Sequence, residues 1–178
     1  MLFGNIHSLA IEAELLEIYG KWTYASLRFW VGGQEIGDFS DTSDLAGSAR
    51  WLRAFLQESS RRTRVDLDEM PAPDVYELLY GRFVIDITRV DITVKRPTSP
   101  ISHEPWDRDP YLLDDVGESS LRDKFAVLAV RRSDAQDRII VKSFRDDVVW
   151  EVLLPPGECD ATIVSYCTWV EGLRSAAE

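Results

Sequence analysis

Two histidines, two cysteines and a few close-set acids are the residues of this 178-residue chain that could break bonds or hold a metal. His7 and His103 lie at no metal-ligand spacing from each other or from a cysteine, and Pro105 after His103-Glu104 excludes a zinc-binding H-E-x-x-H helix. Both read as solvated loop histidines. Cys159 and Cys167 fall on one predicted helix, eight residues apart. At 1.5 Å rise per residue their Cα atoms stand ~12 Å apart, and a disulfide needs less than ~7 Å. They read as buried thiols acting as small hydrophobes. Asp38, Asp41 and Asp44 repeat every third residue, but the segment lacks the glycine and distal glutamate of a calcium loop. A turn followed by a helix cap explains all three. Asp66, Asp68 and Glu69 have no neighbour that would hold one acid protonated, so a solvated loop is the better reading. There is no G-x-S-x-G and no phosphate-binding loop. The sequence therefore predicts no catalytic residue, no metal ligand and no cofactor.

What it offers instead is a surface. Residues 96–123 carry Pro97, Pro100, Pro105, Pro110 and Gly117, which interrupt any periodicity. A loop of that length is uncommon in a compact domain and is often functional. Between His103 and Asp123 stand seven acids against two bases. Trp106, Tyr111, Leu112 and Leu113 sit among them. An aromatic anchor ringed by carboxylates suits a partner with a basic cleft. The candidate partner-binding residues are Trp106, Asp107, Asp109, Tyr111, Asp114, Asp115 and Glu118. The alternative is a solvated loop whose Trp106 tucks into its own domain. A second candidate surface is the face of Trp22, Tyr24 and Trp30, for which burial under a helix is the expectation.

The elements that would position these groups follow from periodicity. Leu9, Ile11, Ala13 and Leu15 alternate with Glu12 and Glu14 over residues 8–16, a strand with one wet face. Residues 22–31 form a second strand, with Thr23, Ala25, Leu27, Phe29 and Val31 on one face. Gly32-Gly33 supplies a tight hairpin turn, and 34–39 returns as a short strand. A helix starts near Ser43 or Asp44, with Leu45, Ala49, Leu52, Phe55 and Leu56 on one stripe. Arg61, Arg62 and Arg64 near its end complement the helix dipole. After Pro71 and Pro73, residues 74–80 form a short helical piece. Residues 82–95 read as a long strand whose apolar parity changes near Thr88-Arg89, implying a bulge. Strands follow at 124–131, 138–144 and 147–154. Pro155-Pro156-Gly157 ends the sheet, and a last helix buries Ile163, Tyr166, Cys167, Val170 and Leu173. The fold class is α+β: a mostly antiparallel sheet with helices packed on it, in two β-β-β-α-like halves. The expected organisation is one domain over residues 1–178.

Composition bounds the function. Apolar residues make up 45% of the chain, with six Trp, six Tyr and seven Phe, which supports a packed core. The net charge of −11 repels phosphate backbones and anionic lipid, so direct nucleic-acid and membrane binding are disfavoured. No apolar run approaches the ~20 residues of a membrane span. The N-terminus lacks a basic leader region, so the expected compartment is the cytoplasm.

Phe3-Gly4-Asn5, the strand Ala10-Ile11-Glu12, Trp22 and the run Phe29-Trp30-Val31-Gly32-Gly33-Gln34-Glu35-Ile36-Gly37-Asp38-Phe39 resemble the opening of a bacterial family, immunity protein 42 of polymorphic toxin systems. The resemblance covers roughly residues 1–60. It implies an antitoxin that binds one cognate toxin domain and is not itself an enzyme. Occlusion of the toxin's active site is the expected mechanism, with a modest preference for a basic, nuclease-type toxin. The runner-up is a structural or adaptor protein that mediates assembly. A hydrolase using carboxylates in an unrecognised fold comes third.

Overall fold

The computed structural model describes residues 1–20, 22–80, 110–113, 116 and 119–175. The predicted strand over 82–95 and most of the 96–123 segment lie outside the described residues.

Two antiparallel sheets share the chain. The first contains β1 (Leu2–Gly4), β2 (Leu9–Tyr19), β3 (Trp22–Val31), β4 (Gln34–Ile36) and β5 (Ser43–Asp44), in the order β1-β2-β3-β4, with β5 also pairing β3. The alternation that predicts β3 is realised in full: Thr23, Ala25, Leu27, Phe29 and Val31 are all buried. Each large apolar side chain buried this way contributes ~1.5–3 kcal/mol of transfer free energy. Gly32 and Gly33 take φ of +61° and +81°, the left-handed pair of a type I′ hairpin turn. A side chain at Gly32 is excluded for a second reason, since its Cβ would stand 2.8 Å from Cγ2 of Val152.

Helix α1 (Leu45–Gln57) begins where the sequence places it. The Asp44 carboxylate accepts from the backbone N–H groups of Ala46 and Gly47. Leu45, Ala49, Leu52 and Phe55 form its buried stripe, with Leu56 partly buried. A 3-10 turn, Ser59–Arg62, follows, then a second at Val65–Leu67 and helix α2 (Ala72–Leu79). A short helix α3 (Ser119–Lys124), not foreseen from sequence, leads into the second sheet.

That sheet is a meander of β6 (Phe125–Arg131), β7 (Asp137–Ser143) and β8 (Val148–Leu154). Val127, Ala129, Ile139 and Val141 join the main core. Ala126, Leu128, Val130 and Ile140 point the other way, into a second cluster with Leu67, Val75, Tyr76, Leu79, Tyr111 and Leu112. Burial on both faces explains why β6 reads as an unbroken apolar run rather than an alternation. The outer edge of β6 is met at its C-terminal end and at its centre. Thr63 bridges to Arg131, and Leu112 to Leu128.

The last helix, α4 (Glu158–Ser175), buries Cys159, Ile163, Tyr166, Cys167 and Val170, with Leu173 partly buried. It lies on β1 and β2 and against α1, so the helix that follows the second sheet packs on the first. The second half keeps the expected β-β-β-α order, whereas the first has five strands before its helix, and the two interlock. Gly4 sits at the tightest point of this packing. Its φ is +90°, and a Cβ there would lie 2.3 Å from the Leu9 carbonyl oxygen and 2.7 Å from Thr162 Oγ1 of α4.

Candidate functional site

Two groups of polar side chains and one apolar surface stand out from this frame. The first group is a buried charge cluster where α1, the second sheet and α4 meet. The Arg62 side chain is fully buried. It donates to the Phe55 carbonyl oxygen, one of those left open at the end of α1, and to Asp160 Oδ1 at 3.1 Å. Arg131 forks onto both carboxylate oxygens of buried Asp137, at 2.9 and 3.0 Å, and reaches Asp160 Oδ2 at 2.9 Å. Burial holds the Arg62 pKa below its ordinary value, while hydrogen bonds to Asp137 and Asp160 raise that of Arg131. The predicted role of Arg61, Arg62 and Arg64 as a cationic helix end is therefore carried by Arg62 alone. Arg61 pairs with Glu58 and Arg64 with Asp66.

Ligand atoms of Asp137, Cys159 and Asp160 come within 4.8 Å of one another in this cluster, the spacing of a metal site. Its chemistry argues otherwise. Both carboxylates are already bound by guanidinium groups, and burial pushes the Cys159 thiol well above its ordinary pKa. A cation would have to displace two arginines and ionise a desolvated thiol. The group is a structural knot. Cys167 is likewise buried, its pKa raised to about 11 by desolvation, and both cysteines are free thiols.

The second group lies on the solvent face of the first sheet. Arg28 donates to Glu12 at 2.8 Å and to Glu35 at 2.8 Å. Its guanidinium lies 4.8 Å from the Trp30 ring centroid and 4.5 Å from that of Phe39. Trp30 donates its indole N–H to the same Glu12 oxygen at 2.8 Å. The hydrogen bond from Arg28, and then that from Trp30, hold the Glu12 carboxyl below its ordinary pKa. Among the described residues, Tyr24 and Trp30 on this face are only partly buried and Trp22 is exposed beside α1 and α4, so the expected burial of the three under a helix is not met. Helices α1 and α4 pack on the opposite side of the sheet, in the core that holds Ala25, Leu27 and Phe29.

The apolar surface is the far end of the β2–β3 hairpin. Leu15 (38%), Leu16 (53%), Ile18 (40%), Tyr19 (68%) and Trp22 (43%) are all exposed. Sequence reading ends β2 at residue 16 with Leu15 inside. The strand instead runs on to Tyr19, and Leu15 is exposed. Its register shifts between Leu15 and Glu17, opposite Ala25 and Tyr24, leaving Leu16 as the extra residue of a bulge. The visible signal was two consecutive leucines in a strand that otherwise alternates. Trp22 also lines a cleft of about 450 Å³ with Asp44, Ala46, Ala49, Arg50, Arg53, Val170 and Glu171. Asp44 is engaged as the α1 cap, and Arg53 is paired with Glu171 at 2.9 Å. No nucleophile and base converge there.

Of the predicted partner-binding residues, Trp106, Asp107, Asp109, Asp114, Asp115 and Glu118 lie outside the described residues. Tyr111 is described and is buried, 5% exposed, in the second core. Its hydroxyl donates to the Arg61 carbonyl oxygen at 3.0 Å. It anchors its segment to the fold, with Leu112 and Leu113 beside it, and presents no free face to a partner. Among the small acid groups, Asp38 accepts from Ser40 and Lys124, and Asp68 from Ser133, as turn and loop residues do.

The profile of the family described as immunity protein 42 matches residues 1–169. No curated protein matches the chain. Among solved structures, that titled "Crystal structure of CdiI from Burkholderia dolosa AUO158" is similar at a TM-score of 0.65 and 19% identity. The match covers 94% of this chain and 99% of that one, a likeness of fold.

Proposed function

The chain belongs to the immunity protein 42 family, and from that membership we propose that it acts without chemistry of its own, by binding a cognate toxin domain and covering the toxin's active site. The observation that carries this reading is the family match, which spans nearly the whole chain. It favours an antitoxin over the adaptor role that the sequence alone leaves open. The site geometry is consistent with it. Among the described residues, the buried charged groups Arg62, Asp137 and Arg138 are each paired, and no nucleophile and base converge in the cleft.

The proposed toxin is basic, with a nuclease as the favoured class. A net charge of −11 attracts a cationic cleft and repels a nucleic-acid substrate. The acidic segment around Trp106, Asp107, Asp109, Asp114, Asp115 and Glu118 is the proposed steering element. No helix of the described residues is long and apolar enough to cross a membrane, and the proposed site of action is the cytoplasm.

The test is co-expression of this chain in a bacterial host with the toxin domain encoded immediately upstream of its gene, together with co-purification of the pair. Protection accompanied by a stoichiometric complex is the expected result. Growth arrest despite full expression of this chain would overturn the reading.

A further inference from the structure

We propose that the projecting end of the β2–β3 hairpin, with the cleft that Trp22 shares with α1 and α4, is the anchoring surface for the toxin, and that it takes an apolar or aromatic side chain flanked by basic residues. This rests on the immunity reading and names the surface that serves it.

Four observations converge on this end of the molecule. The first is exposure. Leu15, Leu16, Ile18, Tyr19 and Trp22 place five large apolar side chains in contact with solvent within eight residues of chain. Scattered surface apolar residues need no explanation, but a contiguous set does. The second is the bulge. An extra residue interrupts the hydrogen-bond ladder, and here it takes Leu16 out of the alternation that would otherwise direct every second side chain inward. The third is the strand edge. The pairing of β1 with β2 ends at Glu12, and among the described residues no strand pairs with the outer edge of β2 beyond Ala13.

The fourth observation identifies the occupant. The excess charge is on the hairpin, where Glu14 and Glu17 stand exposed, while in the cleft Asp44 and Glu171 are balanced by Arg50 and Arg53. A second copy of this chain would bring like charges together across the contact, each copy at −11, which disfavours self-association through this face. A basic protein surface meets the same carboxylates with the opposite sign. The cleft floor of Ala46, Ala49 and Val170 is apolar, and about 450 Å³ is ample for one aromatic side chain. Arg50, also on the wall, pairs with no carboxylate among the described residues, so it offers a donor to a carbonyl or carboxylate of the partner.

The experiment uses the full chain and the purified toxin domain encoded upstream, with binding followed by surface plasmon resonance and oligomeric state by sedimentation. The variants are Leu16→Ser with Tyr19→Ser, and separately Trp22→Ala. These side chains are exposed, so melting temperatures serve as the folding control. The expected result is that each variant melts like the parent yet binds at least ~30-fold more weakly, with the loss in the dissociation rate. If the parent binds and both variants stay within ~3-fold of it, the anchoring surface lies elsewhere and only the immunity reading survives. If the parent sediments as a dimer that the variants dissociate, with toxin affinity unchanged, the face belongs to a second copy and the proposal falls. If the parent neither binds nor protects, both readings fall together.

Discussion

The guanidinium of Arg62 lies 3.7 Å from the ring centroid of Phe55 and donates to the carbonyl oxygen of that same residue. One side chain thus closes the end of α1 and, through Asp160, fastens it to the first turn of α4. Removing one member of a buried charge network is costly because the remaining groups were desolvated for a partner that is gone. Arg62→Ala is expected to lower stability by ~3 kcal/mol or more. Arg62→Met should cost less, since it keeps the packing on Phe55 and leaves Asp160 paired with Arg131. Urea unfolding midpoints of the two variants decide this. Equal midpoints for parent and Arg62→Ala would show the knot to be dispensable.

Leu52 is fully buried between α1, α4 and the first sheet. Leu52→Ala should cost ~2–5 kcal/mol, the range for a cavity at a buried leucine. An unchanged midpoint would contradict the core assignment.

Strands β2, β3 and β4, α1 and α4 are legible because each carries a local signal strong enough to survive tertiary context. Thr23, Ala25, Leu27, Phe29 and Val31 share one strand parity, Gly32-Gly33 supplies the two left-handed positions that a tight hairpin turn needs, and Asp44 stands one residue before a clean helical stripe. Arg62 was legible as a cation near a helix end but not as a buried one, since burial of a charge depends on Asp160, 98 positions away. Strand β1 spans three residues and exists through its register with Ile11, so no window of sequence reveals it. The two-faced burial of β6 hides its partners, because an unbroken apolar run does not say which residue faces which core. Among the candidate site residues, the charge around Tyr111 suggests an interface aromatic, yet Leu112 and Leu113 beside it are the better guide to its burial.

Asp38 offers a pH test. The Ser40 hydroxyl, and after it Lys124, hold its carboxyl at about 2, down from 3.8. A depressed pKa in the folded state means that the tie is present above the ordinary value and is lost as pH falls from 3.8 through about 2. The melting-temperature gap between the parent and Asp38→Asn should therefore be constant above pH ~5, narrow below ~4 and close near 2. A gap that persists unchanged at pH ~3 would mean that the carboxylate is not what Lys124 and Ser40 hold.

The acidic segment should act on encounter rather than on residence. Surface charge steers association and is screened within ~10 Å at 0.1 M salt. Replacing Asp107, Asp109, Asp114 and Asp115 jointly by Asn should slow association with the toxin and flatten its salt dependence, with little change in dissociation. Trp106→Ala, if that indole is seated in the complex, should instead raise the dissociation rate by ~2 kcal/mol or more. Stopped-flow mixing at several salt concentrations separates the two. Parental kinetics from both variants would assign the segment no part in recognition.

Strand β7 is hydrogen-bonded to a neighbour along each edge and packed against a separate core on each face. The backbone amides of Ile139, Ile140 and Val141 consequently have no local route to solvent. They can exchange with deuterium only when both cores come apart, and so report the global unfolding free energy of the molecule. The amides of Ile18 and Tyr19, at the end of the β2–β3 ladder, should exchange through small openings that leave the rest intact. Seating a toxin there would slow the second set and leave the first untouched, except through the added stability that any ligand of the native state confers. The chain therefore carries its own reference: one set of hydrogens times the fold while the other times the complex.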